Sequence, residues 1–459
     1  MRSNAVPYRC LWDEDASFAA PQTNSPEAGY DVVIVGGGLT GLWSALYLAE
    51  ADSRLSIAVI DKEHVGFGAS GRNGGWCSAI LPMSLESIER DHGFQQAVRM
   101  QEAMNETVAL VGSETRRLGI DCDFEQGGTV TLARSGPQVD RARQRVASAR
   151  RFGFGSESVR LLDTDETSAL TRARGVRGGV FESHCAAVHP GRLVRGLRHA
   201  VERAGVSVIE RTEVVAIEPH RVHLREASIE ARWIIRATEG FTSTIRGLRR
   251  EVLPIHSLMI ATEPLGETEL AEVGFDSRAT FTDGRNMIIY GQRTADSRIA
   301  FGGRGAPYHF ASSVSQNHST SSSVAEMLRS SLVDLFPALA GTRVTHHWGG
   351  PLGARRNWTS GVSADPTTGL AIAGGYVGDG VATTNLAGRT LAALITGADD
   401  PVTTLPWVGS QSRRWEPEPI RWLSVNALTG LARLADRHEA RTDRDARLIN
   451  AIIARVSGG

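Results

Sequence analysis

Gly36, Gly38 and Gly41 stand in a G-x-G-x-x-G pattern, and Asp61 follows twenty residues after the last of them. That spacing suits the binding of a dinucleotide. The first glycine permits a tight turn, the second lets a pyrophosphate approach the backbone, and the third lets a helix pack closely on a strand. A carboxylate placed like Asp61 accepts hydrogen bonds from ribose hydroxyls.

These residues need a strand, a turn, a helix and a second strand to hold them. Asp31–Val35 is predicted as a strand, and its Val-Val-Ile-Val core suits burial on both faces. Leu39–Glu50 is predicted as a helix, whose first N–H groups, including those of Leu39 and Thr40, would face the phosphates. Leu55–Ile60 is the expected second strand. The run from Asp31 to Leu48 is apolar, but its glycines break the roughly 20-residue helix that a membrane span requires.

A second glycine-rich stretch, GFGASGRNGGW, spans Gly66 to Trp76, with five glycines in eleven residues. Such a loop brings backbone amides close to a bulky ligand. The whole chain has 459 residues, 41% hydrophobic and 22% charged, with net charge −1. Two or three domains are expected, and the balanced charge offers no footprint for nucleic acid. Only one of the 50 basic residues is lysine, Lys62. Cys10, Cys77, Cys122 and Cys185 are far apart and lack zinc spacing, which fits a reducing, cytoplasmic compartment. The first 30 residues lack the apolar core of a secretory signal.

The SGRNGG segment after the ribose acid resembles the flavin-contacting loop of FAD-dependent oxidoreductases of the D-amino acid oxidase family, which includes glycine and sarcosine oxidases. Its form is similar to that of the gamma-glutamylputrescine oxidase branch. Further similar segments follow in order: CDFEQGGTVTLA, VHPGRLVRGL, AGVSVIERTEVVAIE, WIIRATEGF, LPIHSLMIATEPL, RIAFGGRG and GLAIAGGYVGDGVATTNLAGRTLAALITG. The resemblance implies an α/β fold: a doubly wound, Rossmann-like FAD-binding domain interrupted by an antiparallel-sheet substrate domain, with a C-terminal helical tail.

The resemblance also implies which residues contact non-covalent FAD. They are the glycine turn (Gly36, Gly38, Leu39, Thr40, Gly41), Asp61 with Lys62, and the loop residues Gly68, Ala69, Ser70, Arg72, Asn73, Gly74 and Gly75. Val214 lies on the adenine side, and Ala237, Thr238 and Gly240 lie under the cofactor. Gly375, Gly378, Gly380, Val381, Ala382 and Thr383 form the final turn and helix. That helix N-terminus would stabilise negative charge on a reduced flavin, with Asp379 read as its cap. Cys77, beside the loop, reads as a buried thiol rather than a point of attachment.

Hydride transfer from a C–H bond beside nitrogen to the flavin, giving an imine that hydrolyses, is the implied chemistry. The family's amino acid oxidases clamp a substrate carboxylate with an arginine where this chain has Gly350, in HHWGGPLGARRNW. Its absence points toward an amine, of the gamma-glutamylputrescine kind or a secondary amine. Oxidation of a D-amino acid or 2-hydroxy acid on the same fold stays open, since Arg304, Arg355 or Arg356 could clamp from another direction. A non-catalytic FAD-binding protein is the alternative of another class. Candidate pocket residues are Trp76, His256, Tyr290, Arg304 and Trp348, each of which also suits a core position. His346 and His347 lack acidic or cysteine companions at ligand spacing, so no metal is expected. The electron acceptor is oxygen or another carrier. Lys62, at the adenosine end, cannot assist oxygen at the ring.

Expected domain limits are an extended lead (1–29), FAD-binding segments (30–119, 189–250 and 348–400), substrate-binding segments (120–188 and 251–347) and a tail (401–459). In the tail, Ile420, Leu423, Ala427, Leu428, Leu431 and Leu434 form an apolar stripe. The expectation is that it docks on the FAD-binding domain or on a second subunit.

Overall fold

A computed structural model describes residues 8–14, 25–304, 307–315, 318 and 321–457. The expected strand and helix form at Gly29–Val35 and Leu39–Ala51, followed by a strand at Ile57–Ile60. The first strand is central. It pairs in parallel with Ile57–Ile60 on one side, through Val32↔Ile57, and with Ser228–Arg236 on the other, through Val32↔Trp233. Ser207–Ile209 and Leu370–Gly374 extend the parallel sheet at its two sides. Gly361–Asp365 then adds an antiparallel edge.

One face of this sheet carries the largest apolar cluster, built with the helices Leu39–Ala51, Phe94–Arg117, Pro190–Arg203 and Gly380–Thr396. The first and last of these helices approach so closely that a Cβ on Gly388 would lie 2.7 Å from that of Trp43. Residues of the short strands Ala216–Glu218 and Arg221–His223 cover the other face. Gly93, with φ of 91°, ends the helix Leu85–His92 and starts the next. The stretch AGVSVIERTEVVAIE forms two short strands, Ser207–Ile209 and Ala216–Glu218, with a positive φ at Arg211 between them.

The second large sheet follows the order Val344–Ala354, Leu253–Thr262, Ile299–Arg304, Ile289–Arg293, Thr280–Asp283, Thr129–Ala133, Gly178–Glu182 and Val159–Leu162. It departs from the expected antiparallel pattern at one pair. Thr129–Ala133 and Thr280–Asp283 run parallel, which the long excursion of the chain between them permits. The helix Ser322–Leu335 packs on its outer face, where Leu328, Leu332 and Leu335 join Leu258, Ile260 and Phe301.

The two chain ends differ from a simple extended lead and an apolar docking helix. Part of the supposed extended lead is a buried 3₁₀ turn, Leu11–Asp13. Cys10, Leu11 and Trp12 pack against Met259, Ala261, Ala300 and Trp348 on the second sheet's inner face. Residues 15–24 of the lead lie outside the described residues. The tail helix, Ile420–Thr442, does not bury its apolar stripe: Leu423 is 56% exposed, and Ile420 and Leu434 are also exposed. It docks through polar residues instead. Asp436 accepts from the amides of Asn286 and Met287, and Glu439 pairs with Arg141, all on the second-sheet side. Sequence periodicity revealed an apolar face but carried no information on what covers it.

Among the described residues no helix is long and apolar enough to cross a membrane. All four cysteines are buried and unpaired.

Candidate functional site

A cavity of ≈ 520 Å³ runs along the carboxyl ends of the parallel strands and reaches toward the second sheet. Its floor is the glycine turn. Gly36 has φ +114°, and a Cβ there would lie 2.5 Å from the Ala237 carbonyl oxygen. Such a position is closed to other residues. The Gly38 Cβ position is 2.8 Å from Ser70 Oγ, which accepts a 2.8 Å hydrogen bond from the Leu39 amide. Turn and loop are thus tied together at the start of the first helix. Gly38 itself offers no side-chain cap, but Ser70 already occupies the Leu39 N–H, so an anion at this helix start would meet the amides that follow it.

Asp61 stands at the cavity's far end, where its carboxylate accepts from the amides of Gly37 (2.8 Å) and Glu63 (2.9 Å). Burial raises its pKa, opposed by those two hydrogen bonds. Lys62 is exposed at the rim and pairs with Glu213 at 2.6 Å. Among the residues expected at a cofactor, Gly36, Gly38, Leu39, Thr40, Asp61, Lys62, Gly68, Ala69, Ser70, Arg72 and Asn73 line the cavity. Val214, Ala237, Thr238, Gly240, Gly378, Gly380 and Val381 line it too.

Gly41, Gly74, Gly75, Gly375, Ala382 and Thr383 do not line it; they act from behind. A Cβ on Gly41 would sit 2.1 Å from the Gly36 carbonyl oxygen, and one on Gly74 would sit 2.4 Å from the Tyr290 ring. Gly75 donates to the Asn73 side chain, and Gly375 to Glu239. Ala382 and Thr383 are buried within the last helix.

None of the five pocket candidates lines the cavity, and they separate by what they touch. Tyr290 bonds Ser257 Oγ at 2.8 Å and rests against Gly74 and Gly302. Arg304 donates to the Val377 carbonyl, beside Gly378. Both are adjacent to the final glycine turn or the loop. Trp348 is 0% exposed and donates its indole N–H to the Arg72 carbonyl from behind. His256 faces His309 and His318. Trp76 meets Tyr290 edge-on.

Arg355 and Arg356 do not line the cavity. Arg355 donates to the Ser410 carbonyl, and Arg356 pairs with Glu416 at 3.0 Å, so both hold the C-terminal strap. Asp379 starts the last helix without a side-chain capping bond, contrary to expectation. Cys77 belongs to the large core and does not line the cavity.

Several lining residues had no sequence signal, among them Phe241, Pro351, Leu352 and Tyr376. Glu239 is the most consequential. Its carboxylate accepts from the amides of Gly375 (2.8 Å) and Tyr376 (3.1 Å), joining two segments remote in sequence. Burial pushes its pKa up to about 7, against those hydrogen bonds and Arg236. A carboxyl raised on folding contributes its full stability below the unfolded value near 4.5 and loses it as pH rises through 7. The loss is on the order of 3 kcal/mol. Glu239→Gln is therefore expected to narrow the difference in thermal midpoint between pH 5 and pH 8.

A glycine-built cradle at a helix start, a carboxylate at the far end and a second glycine turn together fit a long, phosphate-bearing dinucleotide. Residues 31–394 match the family described as FAD dependent oxidoreductase. This chain belongs to that family. Its cofactor is FAD, and it is an oxidoreductase. A probable oxidoreductase OrdL of Haemophilus influenzae is 27% identical over 81% of this chain and 84% of its own length. The gamma-glutamylputrescine oxidoreductase of Escherichia coli is 28% identical over 80% of this chain and 84% of its own. Glycine oxidase from Geobacillus kaustophilus shares the fold, with a TM-score of 0.71 at 20% identity, over 84% of this chain and 100% of that one.

Proposed function

We propose that this flavoprotein oxidises the C–N bond of an amine, of the kind represented by gamma-glutamylputrescine or a secondary amine. Gly350 carries this reading. It lies in Val344–Ala354 opposite Ser257, and a Cβ there meets nothing nearer than Arg72 Cδ at 4.0 Å. The expected carboxylate clamp position is therefore open, with no guanidinium projecting from it. A bidentate arginine is the preferred partner for a carboxylate, so its absence favours a substrate recognised through nitrogen. The name of the Escherichia coli relative supports the same substrate class.

In this reading the glycine turn and the first helix's N-terminus hold the pyrophosphate, and Asp61 holds the ribose. The loop Gly68–Asn73 and the turn Gly378–Val381 flank the ring. When bound, FAD supplies a two-electron acceptor for a C–H bond beside nitrogen. The start of Gly380–Thr396 contributes partial positive charge without a titrating side chain. Pro351, Leu352 and Tyr376 present apolar surface that excludes water. Two carboxyls can exchange a proton near neutrality: Glu239 in the cavity lining, pushed up to about 7, and Asp379 at the helix start, pushed up to about 6 by burial against the pull of Arg304.

An anaerobic visible spectrum tests the assignment. The yellow holoprotein is expected to bleach with gamma-glutamylputrescine or a secondary amine and to stay yellow with D-amino acids and 2-hydroxy acids. Bleaching by an amino acid alone would overturn the amine assignment.

A further inference from the structure

Three consecutive backbone carbonyls of the glycine-rich loop are held from outside the cavity. Gly71 O accepts from Cys10 Sγ at 3.8 Å, Arg72 O from Trp348 Nε1 at 3.0 Å, and Asn73 O from Trp12 Nε1 at 2.8 Å. Arg72 and Asn73 themselves line the cavity. Their carbonyls thus point away from it, into an apolar cluster where Trp12 is 2% exposed. The two indoles meet edge-on at 5.9 Å.

We propose that Trp12 and Trp348 are positioning residues that preset the peptide planes of the loop against FAD, with the N-terminal segment serving as the loop's outer brace. This rests on the reading that the loop faces FAD. An indole has a single donor and no acceptor, so each fixes one carbonyl direction. Removing that donor leaves a carbonyl unpaired among apolar groups, and the loop gains by turning the peptide to find another partner. The brace is itself fixed. The Trp12 carbonyl accepts from Arg195, and the Arg9 amide donates to the His347 carbonyl at 3.2 Å. Gly191 leaves the room this requires, since a Cβ there would sit 2.3 Å from the Trp12 carbonyl oxygen.

The test compares Trp12→Phe, which keeps an aromatic ring but loses the N–H, with Leu11→Ala, which loses packing in the same turn. Both are made in the full chain. FAD dissociation constants and visible spectra of the bound flavin are measured, alongside apoprotein melting. Trp12→Phe is expected to weaken FAD binding about tenfold and to shift the bound flavin's absorption bands. Leu11→Ala is expected to lower the melting point while leaving the bands in place. Wild-type affinity and bands in Trp12→Phe would overturn the proposal, as would equal band shifts in both variants. A wild-type chain unable to take up FAD would instead remove the reading of the site on which the proposal rests.

Discussion

Gly41→Ala is expected to give a protein that purifies nearly colourless and binds added FAD 10- to 100-fold more weakly than wild type. The new methyl would sit 2.1 Å from the Gly36 carbonyl oxygen and 3.1 Å from an Ile34 methyl. Neither neighbour can retreat. Gly36 is fixed by the hydrogen bond its N–H donates to the Ile60 carbonyl at 2.8 Å, and Ile34 is fully buried in the parallel sheet. The helix Leu39–Ala51 must therefore lift away from the strand. Overpacking of this kind costs about 1–3 kcal/mol. The displaced part is the helix start, where amides would meet the phosphates, so the loss falls on cofactor affinity as well as on stability. Fluorescence titration of apoprotein with FAD measures it. Wild-type affinity in this variant would show that the turn does not hold the pyrophosphate.

Arg421→Met is expected to lower stability by about 1.5–3 kcal/mol, the usual worth of hydrogen bonds to a charged group, because the partly buried Glu418 keeps its other donors. Arg421 is 2% exposed. Its guanidinium donates to Glu418 Oε1 through Nε at 3.1 Å and Nη2 at 2.9 Å, and reaches the Arg249 carbonyl. Glu418 also accepts from Tyr308 Oη at 2.7 Å and from the amides of Ala311 and Trp422. Burial works to raise the Glu418 pKa, but the bonds from Tyr308 and Arg421 prevail and hold it below the ordinary carboxyl range. A carboxyl lowered on folding adds stability above its unfolded pKa and loses it as pH falls through the folded value. The double variant Glu418→Gln with Arg421→Met should recover part of the loss, because no carboxylate is then left without its counter-ion. Denaturant unfolding of both variants at pH 7 provides the comparison. Equal losses in the single and double variants would mean that packing, not charge, sets the effect.

The parts of the site legible in the sequence are those encoded locally. Gly36, Gly38, Gly41 and Asp61 announce their turn through spacing alone, and the structure places the turn between the expected strand and helix. Glu239 was illegible because its partners, Gly375 and Tyr376, meet it only through the tertiary fold. Trp348 was recognisable as a large residue near the site. Which side of the loop it occupies depends on the register of Val344–Ala354 against Leu253–Thr262, and that has no local signature. Trp12 sat in a segment whose early acids and short apolar stretch resembled solvent-exposed chain. The tail helix misled for a different reason. Its inward face is defined by Arg421, Ala435 and Glu439, the last of them ion-paired, so hydrophobic periodicity pointed to the wrong side.

The central strand has a consequence for how the molecule comes into being during synthesis. Val32 finds one neighbour, Ile57, almost at once, but its other, Trp233, emerges roughly 200 residues later. Leu370–Gly374 closes that flank later still. At typical translation rates the nascent chain spends on the order of 10 s or more with an open edge on its most apolar strand. Trp12 must likewise wait for Trp348 before its turn can seat. The nucleotide turn is thus among the first pieces made, while the brace behind the adjoining loop is among the last to close. An attached nascent chain halted before residue 348 would have the turn without the brace, and FAD would be captured late, near the completion of the polypeptide.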